Sequence, residues 1–243
     1  MSEPMKKGSG KARKIAKYLG MSAAVLVAVL FVADIVWERS GTNEWKLASD
    51  TNGIRVSTLK TPGYSLLKYK LNMHVDARLS DVVFYLTDTS TGEDLGAKEI
   101  VRLESVASPQ VSYSYDTYKL DLPPFGRRDV VIVAENSQDP VSKKVSINIL
   151  AAANKKPLDP NITRVEHLSN TWTLTPLASG GVDIEAVSEV DLGIPYFMAN
   201  QAMPGIITGE LSKMPVLLKK DKYKNKKLAF ITELDEKPAI ATR

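Results

Sequence analysis

Few side chains in this sequence could do covalent or acid–base chemistry. The 243 residues contain no cysteine and only two histidines, His74 and His167. Thiolate nucleophiles, disulfides and a histidine-rich metal site are therefore excluded. General acid–base work needs a positioned imidazole, carboxylate or phenol. The candidates are His167, Tyr113, Tyr115 and Asp129, and none stands in a recognisable constellation. No nucleophile motif, phosphate loop or metal-ligand spacing occurs. Asp183, Glu185, Glu189 and Asp191 alternate with Val182, Ile184, Ala186 and Val190. That period of two marks the wet face of a strand, not a carboxylate pair. What the chain does concentrate is apolar, deformable surface. Met198, Met203, Ile206, Ile207 and Met214 gather near the C-terminal end, and methionine suits an irregular apolar ligand. An ordinary filled core would use the same residues, and pattern alone favours that plainer reading.

The elements that must position these residues are mostly strands. Asn52-Gly53 is a turn signal, and IRVSTL at 54–59 follows as a strand. Leu67, Tyr69, Leu71, Met73 and Val75 alternate with Lys68, Lys70, Asn72, His74 and Asp76, which puts His74 on the wet face of a half-buried strand. Leu79, Val82, Val83 and Leu86 repeat at helical spacing, so one short amphipathic helix ends near Asp88. A polar loop over 87–96 leads to strands at 98–106, 110–121, 128–136 and 143–152. Breaks at Pro109, at residues 123–126 and at 137–140 separate them. Such short spacings favour antiparallel pairing. Two further strands flank a turn at Gly180-Gly181. A closing helix is expected in two pieces, about 195–202 and from Pro204 to Met214, because proline disfavours helical geometry at Met203. Residues 219–227 carry six lysines and are expected to fray into solvent.

The N-terminus is different in kind. Residues 1–18 hold six basic residues and one acid. Residues 19–37, LGMSAAVLVAVLFVADIVW, are almost wholly apolar. Nineteen residues at about 1.5 Å each span roughly 28 Å, enough for a bilayer core. The basic flank predicts a cytoplasmic N-terminus with the remainder sent across. A cleaved signal peptide is the alternative, although a cut after Ala33 would put Phe31 where a small residue is wanted. From Arg39 onward there are 26 basic and 25 acidic residues. That balance carries no basic footprint for nucleic acid.

Three stretches carry a resemblance. RRDVV at 127–131 resembles the arginine–aspartate–aromatic–valine signature of the START lipid-transfer family, with Val130 in place of the aromatic. TRVEHLSNTWTLTP at 163–176 resembles that family's arginine strand and its tryptophan-x-leucine-x-proline element. EVDLGIPYFMANQAMPGIITGELSKM at 189–214 resembles its acidic-glycine-x-proline turn and closing helix. Order and spacing agree over residues 45–218.

The resemblance implies an α+β helix-grip fold, a curved antiparallel sheet of about 7–9 strands wrapped around a long C-terminal helix, and the apolar segment adds one transmembrane helix before it. The implied organisation is a basic terminus at 1–18, an anchor at 19–37, a linker at 38–44, a lipid-binding domain at 45–218 and a lysine-rich tail at 219–243. It implies one lipid or sterol-like ligand in an internal tunnel, no cofactor and no catalysis. The implied tunnel or gate residues are Tyr113, Tyr115, Phe125, Arg128, Arg164, Met198, Met203, Ile206 and Ile207. Arg128 and Asp129 would either fix the sheet as an ion pair or orient a lipid head. Arg164 belongs to a local polar network with Glu166 and His167, or reaches the tunnel. Some sterol-binding members carry an acid–base pair in the tunnel; by spacing, those positions hold Tyr115 and Ala134 here, which implies no such pair. Two other functions stay open: a helix-grip enzyme of the cyclase or aromatase type, and an envelope interaction protein with a filled core. The expected location is a bacterial inner membrane, single-pass, with the domain on the periplasmic side.

Overall fold

Alternation and turn chemistry build one long sheet. A computed structural model describes residues 10–108 and 111–234. The break at Pro109, the basic residues before position 10 and the end of the lysine-rich tail lie outside the described residues. The strands are β1 (Trp45–Thr51), β2 (Ile54–Leu59), β3 (Lys68–Val75), β4 (Lys98–Ala107), β5 (Val111–Leu122), β6 (Gly126–Gln138), β7 (Val145–Ala151), β8 (Thr163–Arg164), β9 (His167–Pro176) and β10 (Val182–Asp191). Nine run in the order β1-β2-β3-β10-β9-β7-β6-β5-β4, and the short β8 pairs with β6. Every pairing is antiparallel except the two-residue β6–β8 contact. Among the described residues four α-helices, α1 (Gly10–Arg39), α2 (Leu79–Thr87), α3 (Tyr196–Leu211) and α4 (Met214–Leu217), and two short 3-10 helices complete the fold. The sheet thus has ten strands, one more than the upper expectation, because a two-residue pair leaves no alternation to read.

Residues directly opposite across a sheet share a face. One row runs Ser114, Ala134, Ile149, Asn170, Ser188, Tyr69 across six strands. This inner face is the one that the helices cover. At the end bearing Val75, Val182, Leu174 and Val145 it is a solid core, closed by Val82 and Val83 of α2 and by Met214 and Leu217 of α4. A second cluster, Val130, Ile132, Val165 and Leu168, closes the other end.

Two expectations change. First, α3 is continuous from Tyr196 to Leu211 with Pro204 inside it. The ring costs one backbone hydrogen bond, but Met203 stays helical and no break opens. Second, the lysine-rich stretch does not fray. Tyr223 is fully buried, and Phe230 and Ile231 are buried with it. The Tyr223 ring meets those of Tyr85 and Phe84 edge-on at 5.3 and 6.4 Å. Glu233 then caps α2, its carboxylate accepting from the backbone N–H groups of Leu79 and Ser80. Counting lysines conceals this. Tyr223 inserts among the lysines and the run 228–231 packs just after them, so the packed domain extends to Glu233.

Among the described residues one helix, Gly20–Arg39, is long and apolar enough to cross a membrane, and none of it is buried in the protein.

Candidate functional site

The strand faces and α3 enclose an apolar pocket of about 190 Å³. Its floor is Tyr69 and Leu71 of β3, Trp172 of β9 and Ala186 of β10, all inner-face positions. Its roof is Ile206, Ile207 and Leu211 of α3. Larger concavities exist, such as one of about 560 Å³ bordered by Asp50, Arg55, Asp183 and Glu185. That one lies on the outer face and is charged, so it suits water better than an apolar ligand.

A few polar groups lie on the floor or beside the pocket. Ser188 Oγ donates to Asn170 Oδ1 across the β9–β10 ladder at 2.7 Å. The Asn200 side chain of α3 accepts from the Leu67 N–H at 3.0 Å and donates to the Ser65 carbonyl at 2.9 Å. The Tyr69 hydroxyl reaches the same Asn200 oxygen at 3.4 Å, and burial pushes its pKa up to about 12. It is therefore a neutral donor at neutral pH. The roof is lightly seated: of sixteen residues in α3 only Ala199 and Leu211 are buried, and Ile206 is 52% exposed.

The nine residues singled out in the sequence scatter. Ile206 and Ile207 line the pocket. Met198 is exposed and Met203 half-buried, neither of them at the pocket. Tyr113 and Tyr115 lie in the outer-face register, opposite Glu135 and Val133. The Lys155 ammonium sits 4.0 Å over the Tyr115 ring centroid, on the outside of the sheet. Sharing one face was a correct reading of these tyrosines, but the face is the far one. Phe125, half-buried, sits at the β5–β6 hairpin.

Arg128 and Asp129 are not partners, because neighbours on a strand point to opposite sides. The Arg128 guanidinium donates to the carbonyls of Phe125 (2.8 Å), Leu192 (2.5 Å) and Gly193 (3.2 Å). It ties the β5–β6 hairpin to the chain entering α3. Asp129, buried on the other side, accepts from Lys119 Nζ at 2.7 Å and from Arg164 Nε at 2.8 Å. Burial works against its charge, but these two cations outweigh it and hold the carboxyl below its ordinary range. Arg164 spends its remaining N–H groups on the carbonyls of Ala153, Lys156 and Pro157. It anchors an outer loop and does not reach the pocket. His167 pairs with Glu189 at 3.1 Å, and His74 lies on the wet face between Asp183 and Asp76.

The Tyr115 and Ala134 positions carry no acid–base pair, but one joins β5 to its other neighbour, β4. Asp116 accepts from Arg102 Nε at 2.8 Å and from Ser114 Oγ at 3.0 Å. Arg102 belongs to β4, outside the two strands, β5 and β6, on which the spacing argument places Tyr115 and Ala134. The sequence reading also passed over Tyr69, Trp172, Asn170, Ser188 and Asn200. One signal was available: Ser188 interrupts the otherwise apolar series Val182, Ile184, Ala186, Val190.

Neither a protein-family model nor a curated protein sequence matches the chain. Solved structures do. A STAR-related lipid transfer protein fragment from Xanthomonas axonopodis aligns with a TM-score of 0.64 at 24% identity, covering 72% of this chain and 99% of that one. The lipid transfer and protein localization domain of human StarD13 aligns at 0.62 and 16% identity, covering 77% and 94%. Human StAR-related lipid transfer protein 5 aligns at 0.62 and 17% identity, covering 82% and 97%. At these identities the likeness is one of architecture: the chain has the helix-grip fold of those structures.

Proposed function

We propose that this chain is a membrane-anchored START-type module that binds one lipid or sterol-like molecule under α3 and presents it beside the bilayer. The observation that carries the reading is the apolar pocket between Trp172, Ala186 and the Ile206–Ile207 side of α3. The fold it shares with three lipid-transfer structures supports the same conclusion. Binding needs no chemistry. Removing apolar ligand surface from water contributes about 25 cal/mol per Å², and the Asn170–Ser188 and Tyr69–Asn200 pairs offer a polar head its hydrogen bonds. The module is non-catalytic in this reading.

At about 190 Å³ the pocket is smaller than the roughly 300–1,000 Å³ that drug-sized ligands occupy. Uptake therefore pushes the middle of α3 outward, and its sparse burial makes that motion inexpensive. The apolar helix α1 is the anchor, with the basic N-terminus on the cytoplasmic side of a bacterial inner membrane and the domain in the periplasm.

The test is native mass spectrometry of the full-length protein released from detergent, with lipid identification in the same sample. One lipid-sized adduct per chain is expected. Protein that stays empty after exposure to the lipids of its own membrane would refute the reading.

A further inference from the structure

The last turn of α1 is fastened to the domain. Trp37 stacks on Tyr196 at the start of α3, with ring centroids 6.2 Å apart and planes 9° from parallel. Its indole N–H donates to the Ser65 carbonyl at 2.8 Å. The Gly63 N–H donates to the Glu38 carbonyl at 2.8 Å. Lys60 Nζ donates to the carbonyls of Glu38 and Ser40, each at 3.1 Å. Asp34, one helical turn back along the apolar segment, lies close enough to the Tyr196 hydroxyl to interact with it. The first turn of α3 therefore lies alongside the end of that segment, not beyond it.

Apolar surface collects at the same level. Tyr64 is 59% exposed and Phe197 62% exposed, and the Phe197 ring meets Tyr196 edge-on at 6.0 Å. Single exposed aromatics are ordinary on a soluble surface. Here they stand with Trp37 around the terminus of a helix able to cross a bilayer. Aromatic rings with a polar tip favour the boundary between headgroups and acyl chains.

We propose that Tyr64, Tyr196 and Phe197 insert into the headgroup region of the bilayer that α1 spans, so that the domain is held with the start of α3 pressed against the membrane. The inference rests on the anchored reading given above, and it commits to the bilayer because the fastened helix delivers these side chains there. Ile206, at the pocket, lies ten residues further along α3, about 15 Å from the interface at 1.5 Å per residue. A lipid passing between α3 and β3 would reach the pocket without crossing open water.

The sequence lacks cysteine, so single-cysteine variants of the full-length protein are clean probes. Val29→Cys, Tyr64→Cys, Phe197→Cys and Val141→Cys are each labelled with an environment-sensitive fluorophore in phosphatidylcholine–phosphatidylglycerol vesicles. Val141, 86% exposed, lies in the β6–β7 turn at the opposite end of the sheet. Nitroxide lipids quench according to depth. The expected result is loss of emission at 29 with deep nitroxides, loss at 64 and 197 with shallow ones, and no loss at 141. Quenching at 29 with 64 and 197 behaving like 141 would overturn this inference and leave the anchor standing. No quenching at 29 would bring down both.

Discussion

Ala186→Leu is the substitution that interrogates the pocket most directly. Ala186 is 2% exposed, faces the cavity, and pairs with Leu71 on one side and Trp172 on the other. A leucine there adds three carbons to a space bounded by Trp172, Ile207 and Leu211. At about 0.8 kcal/mol per buried methylene, filling that space stabilises the fold by up to about 2 kcal/mol. For a domain of this size the melting temperature then rises by roughly 4–8 °C. The same side chain occupies the volume that a ligand needs, so uptake of a fluorescent fatty acid or sterol analogue should fall to background. Thermal unfolding by circular dichroism and a titration of the fluorescent ligand read the two effects independently. Two results would refute the reasoning. A loss of about 1–3 kcal/mol, the usual cost of overpacking, would mean that the space is already filled. A gain in stability with uptake intact would mean that ligand binds elsewhere.

Other perturbations test the framework. Asp129→Asn leaves Lys119 and Arg164 buried without a counter-charge and should cost about 3–5 kcal/mol in chemical denaturation at pH 7. The folded-state pKa of Asp129 is depressed, so its contribution is fully present above the unfolded value of about 3.9 and is lost as pH falls through the lower folded value. The gap between wild type and variant should accordingly narrow below about pH 4. Tyr223→Ala empties a fully buried site between Tyr85 and Phe84 and should cost about 3–5 kcal/mol; a freely fraying tail would show no loss. Gly205→Ala, in open space on α3, should stabilise by about 0.5–1 kcal/mol and slow ligand exchange measured by stopped-flow fluorescence.

The parts legible in the sequence were those with a clean period. β2 and β3, α2 and the Gly180-Gly181 turn fall where alternation and helical spacing put them, because one buried and one wet face leave a signature in residue order. What the order does not carry is which face of a strand meets a helix. Tyr113 and Tyr115 look like tunnel residues by type, yet register sends them outward. Arg128 and Asp129 look like a pair because they are adjacent, and adjacency on a strand is what separates them. Tail burial was illegible for another reason. Tyr223 stands alone among six lysines, and the short apolar run 228–231 that holds Phe230 and Ile231 begins only after the last of them, so the lysine-rich window itself does not look apolar.

The placement of Pro204 changes meaning once α3 is seen whole. An isolated proline break would let the two halves swing about Met203, but both ends of this helix are held. At the start, Asn200 bonds the backbone of Leu67 and Ser65, and Trp37 stacks on Tyr196. At the finish, Leu211 and the following Met214 are buried in the main core. Between these fixed points lie Pro204, which cannot donate its backbone bond, and Gly205 and Gly209, with no atom near enough for a side chain to touch. Neither glycine is required by close packing, and each weakens a helix by about 1 kcal/mol relative to alanine. The weak stretch coincides with the part of α3 over the pocket, where Ile206 and Ile207 form the roof. A helix pinned at both ends and soft in the middle yields by bowing outward. Bowing enlarges the pocket between α3 and the sheet while Asn200 and Leu211 keep their attachments.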